Sequence, residues 1–484
     1  MAPTRRQFMH SAASAALAAP FLELGLQGRA PRRGERPNVL VVVIDTLRAD
    51  HVLGDRARTP NIDALMRDGL TFTRTFPEAM PTVPARNSIL TGRRRFPFRG
   101  WEDRPGLLAM PGWGPIGDTD ATFTSVLRRA GWWTAYVTDN PFLGFARPYE
   151  SFRKSFDLFE RRGGQIGGKS GGVPRDEVMH WVHPTTRDGK TIERVTRYMA
   201  NSSYAHDEGR SFAASVFTSG VGALRAAAAG RKPFALVVDT FEPHEPWTPP
   251  RRYIDMYGDP DHRGAEPGMP RYSRVENWLD ERQAAEVLPR MRALYAAEVT
   301  MTDRWLGVLL DELHAQQLER DTVVVLVGDH GFLLGEHGWT GKISVSLHPE
   351  LTNVPLIVVD PRRRRAGERS AYRASTHDIG RTVLRLCGVK PPEEMEGADL
   401  SRILRGGEPP ARDYSYGGYA NCHFLRDDRW TYFSDNLMNR PHLFDVRSDP
   451  DEAEDVAAKH PDVVRRLHRT VVERAGGRLP YYPE

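Results

Sequence analysis

Apolar positions along this chain follow two rhythms. Continuous, mostly β-branched runs stand at 38–45 (NVLVVVID), 234–241 (FALVVDTF), 322–328 (TVVVLVG) and 354–359. Such runs are the pattern of strands buried on both faces of a parallel sheet. Residues 70–76 alternate like a strand, and 133–138 form another. Between these, apolar residues recur at threes and fours. The intervals predict a short helix from Thr59 closed by Gly69, another over 122–130, and one over 376–388 that ends in glycine. The longest predicted helix spans 281–318, with Met291, Leu294, Met301, Trp305, Leu309 and Leu313 on one face and Pro289 starting or kinking it. Strands alternating with helices predict an α/β fold, a mostly parallel central sheet sandwiched by helices. Beyond residue 390 the texture changes to short aromatic segments at 414–419, 430–433 and 443–446, then an amphipathic helix over 461–476. This predicts a main domain at 36–390 and a small antiparallel sheet with one helix at 391–484.

Composition narrows the picture in three places. The 484 residues are 40% hydrophobic and 27% charged, enough for one large domain plus a smaller one. The net charge of +4 is too mild to argue for a nucleic-acid partner. The two cysteines, Cys387 and Cys422, make neither a disulfide framework nor a metal-ligand cluster, and whether they pair is open. The chain begins with Arg5-Arg6-Gln7-Phe8, a short Ala-rich apolar run and small residues, a start that resembles a twin-arginine export leader. We therefore set 1–30 apart from the fold. The expected mature chain is periplasmic or extracellular, without stable membrane insertion, because the apolar run is too short to span a bilayer. The glycine-rich stretch at 160–175 has the wrong spacing for a phosphate-binding loop and reads as a surface loop, as does the arginine run at 362–365.

Candidate chemistry gathers where buried strands end. In parallel sheets, sites form at the carboxyl ends of strands. Asp45, Asp239, His244, Asp329 and His330 all fall at or just beyond such ends. Asp45, Asp329 and His330 are hard or borderline ligands for one divalent metal, and the Thr82 oxygen would complete the site. The stretch Thr82-Val83-Pro84-Ala85-Arg86 reads as a helix opening, where free N–H groups and a partial positive charge favour an anion. Thr82 is the candidate nucleophile, activated by the metal. Arg86 and Lys342 would neutralise the non-bridging oxygens of an ester, and His244 is a candidate general acid. Asn140 and Asp239 are candidate substrate contacts. Asp239 with His244, and with His377 as a further ligand, is also a candidate second metal site. His337 and His377 otherwise read as packing or loop residues.

The joint order of these segments resembles the sulfatase family of the alkaline phosphatase superfamily. The resemblance rests on Asp45 with Leu47-Arg48-Ala49-Asp50, Thr59-Pro60-Asn61-Ile62-Asp63, Thr82-x-Pro84-x-Arg86 with Thr91-Gly92-Arg93, and Pro243-His244-Glu245-Pro246-Trp247. It continues through Gly328-Asp329-His330-Gly331, Gly335-Glu336-His337-Gly338 with Lys342, Val354-Pro355-Leu356-Ile357, and Leu443-Phe444-Asp445 to Asp449-Pro450. It implies a carboxylate-rich divalent site, with Ca2+ favoured over Mn2+, Mg2+ or Zn2+, and sulfate contacts from the matching His244 and Lys342.

Three departures qualify it. The family nucleophile is a Cys or Ser oxidised to formylglycine; here it is Thr82, whose β-methyl bars oxidation to an aldehyde, so no formylglycine is expected. The usual pair of aspartates ending the first strand is Asp45-Thr46. The usual Lys-x-His after the 133–138 strand is replaced by Asp139-Asn140-Pro141. A threonine O-sulfate lacks the aldehyde's exit route and needs direct hydrolysis, whereas a phosphothreonine intermediate is more ordinary chemistry. Threonine is the nucleophile in the superfamily's nucleotide pyrophosphatase/phosphodiesterase branch. The expectation is a metal-dependent sulfate-ester hydrolase acting on a small-molecule or glycan ester. The alternatives are a phosphodiesterase or phosphonate-ester hydrolase using Thr82 directly, and a catalytically silent binder of sulfated glycans. Specificity is expected in 100–118, 160–210 and 255–280, where no code is readable; oligomeric state is not legible.

Overall fold

The computed structural model describes residues 36–104, 107–117, 119–143, 149–202 and 207–483; the expected leader lies outside them. The strands in chain order are β1 (Asn38–Ile44), β2 (Leu70–Thr75), β3 (Ala79–Met80), β4 (Trp133–Thr138), β5 (Leu158–Arg161), β6 (Phe234–Thr240), β7 (Ser273–Arg274) and β8 (Thr322–Gly328). They continue as β9 (Leu333–Leu334), β10 (Trp339–Gly341), β11 (Leu356–Val359), β12 (Arg369–Ala374), β13 (Ser415–Tyr419), β14 (Cys422–Arg426), β15 (Trp430–Asp435) and β16 (His442–Asp445).

Eight strands form the central sheet in the order β12-β2-β11-β8-β1-β6-β4-β5. All neighbours run parallel except β11, which is antiparallel to both β2 and β8. The expected mostly parallel α/β sandwich is thus what the chain forms. Strand β1 shows why its run is apolar throughout. Leu40, Val42 and Ile44 enter the core on one face, with Leu309 of the helix Glu281–Ala315. Val39, Val41 and Val43 enter the core on the other, with Ile89 and Val383 from the helices Thr82–Thr91 and Asp378–Leu386. Each residue points opposite to its neighbour, so burial of both faces demands an unbroken apolar run.

The helix Glu281–Ala315 begins on a capping box between Asp280 and Gln283 and runs through Pro289 without ending there. Two long helices escape the sequence pattern, Gly189–Ser202 and Phe212–Ala228. The second is Ala-rich and apolar on most sides, so no stripe marks it; its Gly220 sits against Val238 and Leu309.

The smaller sheet has the order β16-β15-β14-β13-β3. Its last strand, β3, comes from the segment two residues before Thr82 and runs parallel to β13. The helix Pro461–Arg474 covers this sheet through Val464, Leu467 and Val471. Met395, Leu400, Ile403 and Leu404 pack in the main core. Cys387 and Cys422 are buried and form no disulfide with each other. No described helix is long and apolar enough to cross a membrane.

Candidate active site

Strand register brings three acids together. Parallel pairing sets Ile44 opposite Gly328, so Asp45 and Asp329 leave adjacent strands side by side. It sets Val43 opposite Asp239 on the other flank, and Thr138 of β4 opposite Asp239 in turn. All three carboxylates are fully buried. Asp329 is fixed by backbone N–H groups of Thr46 and His330, which donate to Oδ1 at 2.9 and 2.7 Å.

The helix Thr82–Thr91 enters this cluster from the small sheet, and all ten of its residues are buried. Thr82 is its first residue, after Pro81, and the helix has no side-chain cap. The Thr82 hydroxyl is instead 3.4 Å from His330 Nε2. His330 Nδ1 donates to the Gly331 carbonyl at 2.8 Å, which leaves Nε2 as the lone-pair nitrogen facing Thr82, Asp45 and Asp329. Burial, with the charge of Lys342 close by, lowers His330 to about 4, so the ring is neutral at ordinary pH.

Arg86 does not take the place expected for it. It was expected to reach ester oxygens, but its guanidinium spans the carboxylates. Nε and Nη2 donate to Asp239 at 2.7–3.0 Å, and Nη1 donates to Asp329 Oδ2 at 2.5 Å and to the Thr82 carbonyl at 3.1 Å. Three buried acids hold the one guanidinium more strongly than an ester at the surface of the cluster can. Asp239 is equally committed. Besides Arg86, its Oδ2 accepts from Tyr136 Oη at 2.8 Å and Thr138 Oγ1 at 3.2 Å. It therefore anchors Arg86 instead of facing substrate, and it is not joined by His244 or His377 in a second metal group. His377 Nδ1 lies 2.9 Å from Ser375 Oγ, and His337, read as a packing or loop residue, stacks on His348 at 3.4 Å.

The cluster fits a divalent cation. Among the described residues, Asp45, Asp329 and His330 are the group whose ligand atoms converge, within 4.8 Å of one another. Both Asp45 oxygens are buried without a hydrogen bond; Arg86 Nη1 is 3.1 Å from Oδ2 but out of alignment. Burial and the neighbouring Asp329 push Asp45 far above the usual carboxylate range. Asp45, Asp239 and Asp329 share one guanidinium, so the cluster is short of positive charge. Two carboxylates and a neutral imidazole are a donor set for Ca2+, Mg2+, Mn2+ or Zn2+.

Lys342 and His244 form the other wall. Lys342 follows β10, is nearly buried, and its charge acts on Asp45, Asp329, His330 and His244. His244 Nδ1 donates to the Glu245 carbonyl at 2.8 Å and lies 3.2 Å from Glu245 Oε2. Its ring stacks on Phe241 at 4.0 Å. Burial, then Lys342 and Arg194, holds His244 well below the usual imidazole range. In this state Nε2 accepts a proton and does not donate one, so the general-acid role needs an anion between Lys342 and His244 to bring the proton in. Asn140 is fully buried; its Oδ1 accepts from Phe142 N–H, while its Nδ2 has no partner. Sequence reasoning missed Glu245 as the group that sets the His244 tautomer, although it is the next residue in the quoted Pro243–Trp247 stretch. It also missed Tyr136, whose hydroxyl reaches Asp239 from the neighbouring strand.

Comparison with known proteins agrees with this architecture. The sulfatase family model matches residues 37–389, and a model described as the C-terminal part of N-sulphoglucosamine sulphohydrolase matches 335–475. An arylsulfatase of Clostridium perfringens is 23% identical over 488 residues, covering 93% of this chain and 96% of its own. A choline-sulfatase of Rhizobium meliloti is 24% identical over 445 residues, covering 87% and 82%. The phosphonate monoester hydrolase of Agrobacterium radiobacter superposes with a TM-score of 0.68 at 21% identity, covering 91% and 96%. The match across nearly the whole central domain, on a fold whose strand ends assemble the acids above, places this chain in the sulfatase family, metal-dependent hydrolases that act on ester bonds.

Proposed function

We propose that this chain hydrolyses sulfate esters with Thr82 as its nucleophile. The observation that carries the reading is the Thr82 hydroxyl, buried at a helix start and 3.4 Å from His330 Nε2 beside Asp45 and Asp329. A divalent cation held by Asp45, Asp329 and His330, Ca2+ in first place, would lower the pKa of a nearby hydroxyl and draw charge from the ester. The chain's own residues do the rest. Arg86 holds the Thr82 carbonyl and the acids in one frame. The Thr82 hydroxyl gives up its proton to solvent, and Oγ forms the new bond to sulfur as the bond to the leaving oxygen breaks. Lys342 balances the ester's negative charge, and the unpaired Asn140 Nδ2 is available to a non-bridging oxygen. The ester's charge also raises the proton affinity of His244, whose Nε2 then supplies the proton that the leaving oxygen takes. Water attack on sulfur returns the Thr82 hydroxyl and releases sulfate.

A second reading, a phosphodiester or phosphonate-ester hydrolase on the same residues, is favoured by one feature. The methyl on the Thr82 Cβ excludes the aldehyde exit, and direct attack by a threonine is ordinary chemistry at phosphorus. The two readings part on matched aryl sulfate, phosphate monoester and phosphodiester substrates with metal-replete protein. Thr82→Ala is expected to lower kcat/KM by about 100-fold or more on the preferred ester. A quenched reaction is expected to leave a sulfuryl or phosphoryl group on the Thr82 peptide. Full turnover by Thr82→Ala would remove Thr82 from the reaction under both readings. Tight binding of sulfated glycans with no turnover of any ester would mark a silent binder instead. The leader-like start supports export, checked by finding the mature N-terminus near residue 30 on periplasmic protein.

A further inference from the structure

Two of the segments that carry no readable code meet beside the site. Arg194, from the helix Gly189–Ser202, and Tyr272, from the loop ahead of β7, both bind the buried Glu245 carboxylate. Tyr272 Oη donates to Glu245 Oε1 at 2.6 Å, and Arg194 Nη2 donates to the same oxygen at 3.2 Å. The other oxygen, Oε2, lies 3.2 Å from His244 Nδ1. The His244 Nδ1 proton goes to the Glu245 carbonyl and Oε2 makes no hydrogen bond, so Glu245 joins the candidate proton donor through its backbone and the two rim groups through its carboxylate.

Strand pairing fixes where the tyrosine stands. β7 and β10 run antiparallel with Trp339 opposite Arg274 and Thr340 opposite Ser273. The same register sets Tyr272 opposite Gly341, the residue before Lys342. Gly341 has φ +101°, and a Cβ there would lie 2.7 Å from the Tyr272 ring. The missing side chain lets the ring rest on the backbone beside Lys342. Phe332 packs against it at 5.6 Å and 77°. Even so Tyr272 stays 38% exposed, and the Arg194 side chain 37%. A rigid, half-exposed aromatic ring held by its hydroxyl, with a guanidinium beside it, is a surface for a flat or chair-shaped ring that carries an acceptor group.

We propose that Tyr272 and Arg194, positioned by Glu245, form the leaving-group subsite, and that the natural ester has a ring, pyranose or aryl, next to the scissile oxygen. This rests on the hydrolase reading above. The ring of the leaving group lies on Tyr272, Arg194 donates to a hydroxyl or carboxylate on it, and Glu245 keeps both in line with His244 Nε2.

The test compares ring esters, 4-nitrophenyl sulfate and a hexose 6-sulfate, with a straight-chain alkyl sulfate. In the wild type, kcat/KM is expected to favour the ring esters. Tyr272→Ala is expected to cut that preference at least tenfold, chiefly through KM, and Tyr272→Phe, which keeps the ring, to restore most of it. Arg194→Gln is expected to weaken the hexose ester more than the unsubstituted aryl ester. A ring-to-alkyl preference unchanged within twofold in Tyr272→Ala overturns the subsite. Failure of the underlying reading shows differently, as absent turnover of every ester. The subsite is then read by equilibrium binding of 4-nitrophenyl β-galactoside, where tenfold weaker binding to Tyr272→Ala supports it and equal binding overturns it.

Discussion

Asp139 directly follows β4, one residue before Asn140, and is fully buried. Burial, then Glu242 and Asp239, push its carboxyl up to about 8. Gln165 Nε2 lies 3.0 Å from Asp139 Oδ2, while Gln165 Oε1 is buried without a partner. Turning that amide over lets a protonated Asp139 donate to Oε1. The sign of the pH effect follows. The unfolded acid ionises near 4 and the folded one near 8, so the folded chain holds an extra proton between them. The contribution is complete below the unfolded value and is lost as pH rises toward 8, by up to about 1.4 kcal/mol per pH unit. Asp139→Asn keeps the donor and removes the titration. Its thermal unfolding is expected to change less between pH 5 and pH 8 than that of the wild type; parallel curves would refute the assignment. At this scale the sequence marked Asp45, Asp239, Asp329 and His330 by their place at strand ends. It could not mark Arg194 or Tyr272, which reach Glu245 across 51 and 27 residues of chain.

Elements were legible wherever burial was one-sided or complete in a strand. The runs behind β1, β6 and β8 are apolar on both faces, which only a covered parallel strand tolerates. The helix Phe212–Ala228 failed to show because small apolar residues surround most of it. It lies between β6 and the helix Glu281–Ala315, and Gly220 sets the closeness: a Cβ there would stand 3.1 Å from Val238 and 3.3 Å from Leu309. Gly220→Leu is expected to force these layers apart and to cost about 1–3 kcal/mol, read from the denaturation midpoint. A midpoint at or above the wild-type value would show that the contact is not tight. Short strands such as β7, β9 and β10 carry no signal of their own. Two or three residues cannot display a period, and their pairing is decided by what lies opposite.

Across the whole molecule, the cation cluster joins segments far apart in the chain: the end of β1, the end of β8 and the helix that leaves the small sheet at Thr82. Buried acids in excess of arginine oppose folding unless a cation balances them. Removal of divalent ions with a chelator is therefore expected to lower Tm, and re-addition to restore it, with a gain of about 2.7 kcal/mol at a hundred times Kd. A Tm indifferent to chelation, with no bound metal by elemental analysis, would remove the cation from this cluster. The small sheet belongs to the same unit. Its strand β3 carries the chain to Thr82, and Tyr419 Oη donates to the Lys342 carbonyl at 3.2 Å. The nucleophile and the lysine thus both lean on the C-terminal part, which sequence texture alone set apart.

The sequence by itself determined the class of sheet, the buried strands, and the acids and histidines at their ends. Those follow from local rules: apolar runs bury, glycine ends helices, and polar residues collect where strands stop. Tertiary structure alone decided what each charge faces. Register placed Asp239 beneath Arg86 and turned an expected ester contact into the keystone of three carboxylates. It also set Tyr272 across from Gly341. Register is a relation between distant segments, so no window of the sequence contains it.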